Sequence, residues 1–458
     1  MNVSRPSSPR KKKPQSAYKK RSKQKKQHWL SVALGLLGVA AVSATAGALF
    51  AVGLTSTPLM QRKFDAADAS VFSKGDRISS SNLQMPELTR PVNILVLGTK
   101  VLSSDLDDPP PELKNLGYHA LVNSFDGLTD TMLLLRFSPD TKKLVVLSIP
   151  RDTRIEIPGR GISKINAANA QGGPALSARS VSHLLGGVGI DRYVTINVQG
   201  VQALVEALGG VTVYVPKDMK YQDDSQHLYI NLKAGKQHLN GEQTLQLLRF
   251  RYDRYGDIGR IQRQQMVMRA IMEQALKPSI IGRLPKILSV VQSHVDTNLS
   301  VEELVALVGF ATQVQRNDVQ MLTIPGNFGD IKQYKTSYWL PSHSRIQNMM
   351  AQYFDFGRAN QPEETSGVRI AIQDSTRQLG SVEFLLERLH SAGFSRINTD
   401  DVLQEPIKIT RIIAQQGDEA AARQVRQALG FGEIRVDSTG ILDSDITIQL
   451  GQDWKQKQ

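Results

Sequence analysis

The sequence predicts an α/β protein of two folded domains behind one membrane-spanning helix. Three observations predict it. Residues 29–54 form 26 consecutive positions without a charged side chain. Apolar runs between 92 and 215 follow a strand, hairpin, then strand–helix–strand order. A shorter set with the same strand–helix order begins near 367. A chain of 458 residues has room for two or three domains.

The N-terminus explains the charge. Of a net +13, eleven positive charges lie in residues 1–28, which hold no acidic residue, leaving +2 for everything else. The folded part is therefore close to neutral, and a nucleic-acid partner is not expected. About 20 apolar residues cross a hydrocarbon core, so 29–54 suffices as a retained anchor. A cleaved signal peptide is the rival reading, with Ala44-Thr45-Ala46 as the cleavage mimic, but its apolar region is only about 7–15 residues. Basic residues stay inside, which puts the tail in the cytoplasm and residues beyond 62 outside. The expected location is the plasma (inner) membrane, single-pass, with the folded mass extracytoplasmic or periplasmic. Cysteine is absent, which excludes thiol nucleophiles, cysteine-type zinc sites and disulfides.

Residues 55–90 are polar and Ser-rich and read as a stalk. A buried strand is expected over 92–97, closed by Gly98. A long loop over 100–127 carries Pro109-Pro110-Pro111. Runs at 132–137 and 144–149 flank Ser138-Pro139-Asp140, a hairpin signal. Helical spacing covers 177–185. Positions 193–198, 201–208 and 211–215 read strand, helix, strand, with Gly209-Gly210 stopping the helix. From 241 to 311 the pattern is helical, broken near Pro278-Ser279 and Asn298-Leu299-Ser300, and 319–324 returns as a strand. The first domain spans 91–340, and 341–366 is expected to be a linker. The second domain, 367–453, repeats strand, helix and Gly-Phe (368–373, 382–389, Gly393-Phe394; then 407–413, 420–429, Gly430-Phe431) before a last strand at 445–450.

Three constellations could carry chemistry. Residues 249–263 hold five arginines with Asp253 and Asp257 as local partners. If a helix starts after Asp257, then Arg260, Arg263 and Gln264 fall at i, i+3 and i+4, with Arg249 and Arg251 converging from the preceding helix. Guanidinium forks gathered this way suit an oxyanion such as a pyrophosphate; a solvated helix face is the alternative. Ser148-Ile149-Pro150-Arg151-Asp152-Thr153 places Arg151 at the C-terminal end of a strand, where α/β sheets put ligand-binding groups. Asp126-Gly127-Leu128-Thr129-Asp130 offers carboxylates for a hard cation, or simply turn chemistry. There is no P-loop, GxSxG or HExxH motif.

In this order, Asp130-Thr131-Met132, Ser148 to Thr153, Lys164-Ile165-Asn166-Ala167-Ala168, Leu208-Gly209-Gly210-Val211, Arg249-x-Arg251 and Asp257-x-x-Arg260-x-x-Arg263-Gln264 resemble the LytR-CpsA-Psr family over about 92–275. Residues 367–453 are similar to its frequent C-terminal domain. The resemblance implies a three-layer α/β/α domain that holds a polyprenyl (pyro)phosphate lipid. It also implies Mg²⁺-dependent transfer of the lipid-linked glycopolymer onto peptidoglycan. Arg151, Arg249, Arg251 and Arg260 would hold the pyrophosphate, with Arg263, Gln264, Asp152, Lys164 and Asn166 supporting the substrate. Asp130 would hold Mg²⁺. Members carry another Asp where this chain has Lys100, so Asp126 or Asp105 would supply a second carboxylate. Residues 132–135 and the 264–276 helix would line a tunnel for the lipid tail. Asp130 or Asp152 is the candidate base.

Two other readings stand beside this one. A non-catalytic binder of lipid-linked precursors or wall glycans keeps the arginines and drops the turnover. A membrane-tethered regulator has only the basic tail to support it, which reads as a topology signal.

Overall fold

The computed structural model describes residues 59, 62–72, 77–80, 86–99, 125–224, 228–250, 256–358 and 367–456. The predicted tail and span, Lys100, Asp105 and Arg251 lie outside them. Among the described residues no helix is long and apolar enough to cross a membrane.

Six strands build the first sheet: β1 (Val92–Thr99), β2 (Thr129–Ser138), β3 (Lys143–Ser148), β4 (Arg192–Ile196), β5 (Val295–Thr297) and β6 (Val319–Thr323). Their order is β5-β4-β1-β2-β3-β6. β2 is antiparallel to both β1 and β3, while β1/β4 and β3/β6 are parallel. Alternation along β2 sends Met132 and Leu134 to one face and Leu133 and Leu135 to the other. The first face packs on α1 (Ala167–Leu184). On the second lie α4 (Gly256–Ala275) and α6 (Val301–Ala311), which follow α2 (Val198–Leu208), α3 (Gly241–Arg249) and α5 (Leu284–His294). Helices thus cover both faces. Met132, Leu134 and Leu147 are at most 1% exposed, and burying each contributes about 1.5–3 kcal/mol.

The two faces are filled differently. Val96, Leu135 and Val194 of the sheet stay partly exposed, as do Met268, Met272, Leu276, Leu304 and Leu307 opposite them. These partly buried side chains pack against the buried ones between the sheet and helices α4 and α6.

The second sheet contains β7 (Arg369–Asp374), β8 (Arg396–Val402), β9 (Arg411–Ile413), β10 (Glu433–Arg435) and β11 (Ile446–Leu450), ordered β8-β7-β11-β9-β10. With α8 (Ser381–Ser391) and α9 (Glu419–Leu429) it has its own core. This smaller lobe docks on the outer edge of β6: Met321 N donates to Val436 O (3.1 Å) and Thr323 N to Gln415 O (2.8 Å).

Two expectations are corrected. Residues 341–366 are not a plain linker, because they contain helix α7 (His343–Phe354), whose Ile346, Met349, Met350, Tyr353 and Phe354 are buried in the first core. Nor do 55–90 stand off as a stalk throughout. Phe72, Ile78 and Leu88 are buried, and Phe64, Phe72 and Tyr193 form an aromatic cluster with centroids 5.1–5.6 Å apart. Burial of such rings outweighs the polar composition around them. The strand expected over 407–413 is confined to Arg411–Ile413.

Candidate active site

The site follows from strand register. In the β2–β3 hairpin Leu133 faces Ser148, and Ile149 N donates to Met132 O (2.9 Å). Continuing that register puts Asp130 opposite Arg151. Because β2 runs against β3, its N-terminal end lies at the C-terminal end of β3. The two side chains meet there: Arg151 Nη1 donates to Asp130 Oδ1 at 2.7 Å.

Pro150 ends β3 because it cannot donate to a ladder. The turn then closes on Thr153, whose N and Oγ1 both donate to Pro150 O (3.0 and 2.6 Å). Asp152 lies 3.5 Å from Arg151 Nε and 2.8 Å from Lys164 Nζ. Asn166 contributes through its backbone, its N donating to Arg151 O (3.3 Å) and its O accepting from Thr129 N (3.3 Å). The Lys-Ile-Asn segment thus braces the turn that carries Arg151.

This ion-paired rim opens into an apolar slot lined by Leu133, Val146, Met268, Met321 and Leu442, with Gln264 at its side. Leu133, Val146, Met268 and Met321 belong to the core on the second face of the sheet. Arg263 is placed elsewhere. It is 4% exposed, donates to Phe250 O and stacks its guanidinium over the Phe250 ring. Successive helical residues are rotated by about 100°, so Gln264 reaches the slot while Arg263 faces away from it. Arg249 ends α3 with a partly exposed side chain. Arg260 lies within α4, though its side chain is outside what is described.

Asp126 is engaged by Arg62, whose backbone N also donates to Asp296 Oδ1 (3.1 Å). Asp296 accepts from Tyr193 Oη as well (3.0 Å), and burial pushes its carboxyl above the usual range. Among the described residues no group of three or more His, Cys, Asp or Glu is placed to hold a metal ion. Asp130 is the carboxylate at the mouth of the slot, paired with Arg151 at 2.7 Å; Mg²⁺ commonly takes one or two carboxylates and completes its shell with substrate phosphates and water.

Sequence reasoning missed three contributors. Phe328 and Trp339, from the short ribbon Gly326–Phe328/Trp339–Pro341, line the slot, and Ser438 and Leu442 reach it from the smaller lobe. Tyr334 and Tyr338 stand nearby, with Arg154 over both rings and Lys164 over Tyr338.

Fold and site together define a layered α/β domain carrying an arginine–carboxylate rim over an apolar slot. The family model of LytR_cpsA_psr matches residues 59–355, and the chain belongs to that family. A second model, described as LytR cell envelope-related transcriptional attenuator, matches 367–454. The chain is 35% identical over 243 residues to the polyisoprenyl-teichoic acid–peptidoglycan teichoic acid transferase TagU of Oceanobacillus iheyensis, covering 52% of this chain and 67% of that protein. It is 29% identical over 310 residues to the like-named TagV of Bacillus subtilis, covering 66% and 74%. The crystal structure of B. subtilis TagV aligns with 59% of this chain and 99% of its own, at 26% identity and a TM-score of 0.48.

Proposed function

We propose that this chain transfers a glycopolymer from a polyprenyl-pyrophosphate carrier onto peptidoglycan, tethered to the membrane by residues 29–54. The observation that carries the reading is the junction of charge and grease. Asp130, Arg151 and Asp152, the last paired with Lys164, rim a slot walled by Leu133, Val146, Met268 and Met321. A lipid pyrophosphate asks for both at once, an anion clamp at one end and an apolar channel at the other. The names of the TagU and TagV relatives support a polyisoprenyl-linked polymer as donor and peptidoglycan as acceptor.

In the proposed step a sugar hydroxyl of the acceptor attacks the phosphorus that bears the glycan. A new P–O bond forms, the pyrophosphate P–O bond breaks, and lipid phosphate leaves. The hydroxyl proton passes to Asp130 or Asp152. Arg151 neutralises charge developing on the phosphoryl oxygens, which is the main catalytic work of phosphoryl transfer. Arg249, Arg251, Arg260 and Gln264 are assigned to the same pyrophosphate. Mg²⁺ held by Asp130 would supply further charge neutralisation.

The test uses the full chain in detergent with a polyprenyl-pyrophosphate-linked saccharide and peptidoglycan fragments. Release of polyprenyl phosphate is expected, lost on chelation and reduced about 10²–10³-fold in Arg151→Ala and Asp130→Ala. Tight lipid binding without release, even with acceptor present, overturns transfer in favour of a binder.

A further inference from the structure

The face of α4 turned away from the slot lines a second cavity of about 670 Å³, closed on its far side by the smaller lobe. That volume lies within the usual range of small-molecule sites. Its cations are Lys217, Lys236, Arg263, Arg269, Arg316 and Arg411, against two carboxylates, Glu273 and Glu405. Glu273 is already shared between Arg269 (3.2 Å) and Arg316 (3.0 Å), and Arg269 also pairs with Asp437. Arg411 is partly buried on β9, and its side chain forms no hydrogen bond or close ion pair among the described residues. Burial, then the charge of Arg435, hold its guanidinium below the ordinary value.

Amides supply the second, independent observation. Gln265 is 9% exposed and lines the cavity, and neither its amide oxygen nor its nitrogen has a partner among the described residues. Gln449, 3% exposed, gives its nitrogen to Gln373 (3.0 Å) and leaves its oxygen unpartnered. A buried amide atom left without a partner is costly, which favours a ligand that supplies one. Unmet donors and acceptors together call for a ligand that offers both, as sugar hydroxyls do, while an under-paired guanidinium calls for an anion.

We propose that this cleft between the lobes binds an anionic saccharide, sugar units bearing phosphate or carboxylate, with Arg411 on the anion and Gln265 and Gln449 on the hydroxyls. Gln265 also lines the slot, so the two sites share a wall, and a polymer lying in the cleft runs beside the reacting end. The site is separate from the transfer chemistry and stands or falls without it.

Calorimetry on the full chain in detergent tests it with three probes: a lipid-free oligomer of phosphodiester-linked hexoses, a muramyl-peptide oligosaccharide and neutral maltoheptaose. At least one anionic probe is expected to bind, more weakly as salt rises, while maltoheptaose does not. Preference for the phosphate probe identifies the donor polymer as the occupant; preference for the muramyl probe identifies the acceptor. Arg411→Gln should weaken binding at least ten-fold, Arg411→Lys should recover most of it, and Arg151→Ala should leave it unchanged. The lysine variant separates lost charge from lost fold. Equal affinity in Arg411→Gln and the parent, equal binding of maltoheptaose, loss through Arg151→Ala instead, or no anionic binding at all overturns the proposal.

Discussion

Asn169 holds the strand that presents Asp130. It is 1% exposed, and its Nδ2 donates to the carbonyls of Phe125 and Gly127, both at 2.8 Å. Replacing it with leucine strands two carbonyls, so Asn169→Leu should lower unfolding free energy by about 2 kcal/mol in a denaturant titration. Lys164 acts more locally, on Asp152 alone at this distance. Lys164→Gln should leave the melting temperature within about a degree, since partly exposed pairs are worth under about 1 kcal/mol. It should raise KM for the lipid substrate more than it lowers kcat. At this scale the hairpin made the site readable: the Ser-Pro-Asp turn sets the register, and the register joins Asp130 to Arg151. Helical spacing alone misled for Arg263. Residues at i+3 and i+4 share a broad face, but buried Phe250 selected one of them.

Among the elements, α6 is fastened unusually firmly. Ser300 and Glu303 form a reciprocal N-terminal cap, and the Glu303 carboxylate also takes Arg192 at the start of β4, at 2.6 and 3.0 Å. Both partners are under 10% exposed. Removing one partner of a buried pair costs about 3–5 kcal/mol. Glu303→Ala should therefore lose about that much in thermal unfolding, and Arg192→Met with Glu303→Leu together much less. The helix at His343–Phe354 was legible and misread. Buried residues 346, 349, 350, 353 and 354 have helical spacing, whereas Gln361-Pro362-Glu363-Glu364 beyond them has a linker's composition. Three-residue β5 carries too few positions to show any period, and β8 reads Arg-Ile-Asn-Thr-Asp-Asp-Val, a polar edge strand without an apolar signal.

Across the whole molecule, the lobes are joined by ion pairs as well as by backbone. Asp445 of the smaller lobe meets Arg345 of the larger at 2.8 Å and Arg369 at 2.9 Å. Burial pushes its carboxyl up, but the Arg369 hydrogen bond and Arg345 charge outweigh that and hold it below the ordinary value of 3.8. The contribution is therefore complete above that value and is lost as pH falls through the depressed one. Asp445→Asn should be less stable than the parent at pH 7 by about 3 kcal/mol in a denaturant titration, and the gap should close as the pH is taken below 3.8. Two domains were legible from their separate strand–helix patterns. Their docking was not, nor the arrival of Ser438 and Leu442 at the slot, because no local pattern encodes contacts between residues far apart in the chain.

The smaller lobe also acts as a guard. By occupying the outward N–H groups of Met321 and Thr323, it covers the open rim of an otherwise unfinished ladder. Bare strand rims recruit other chains. A chain shortened to end at 358 should thus form soluble oligomers or fibres, visible in light scattering, even where its own core remains folded.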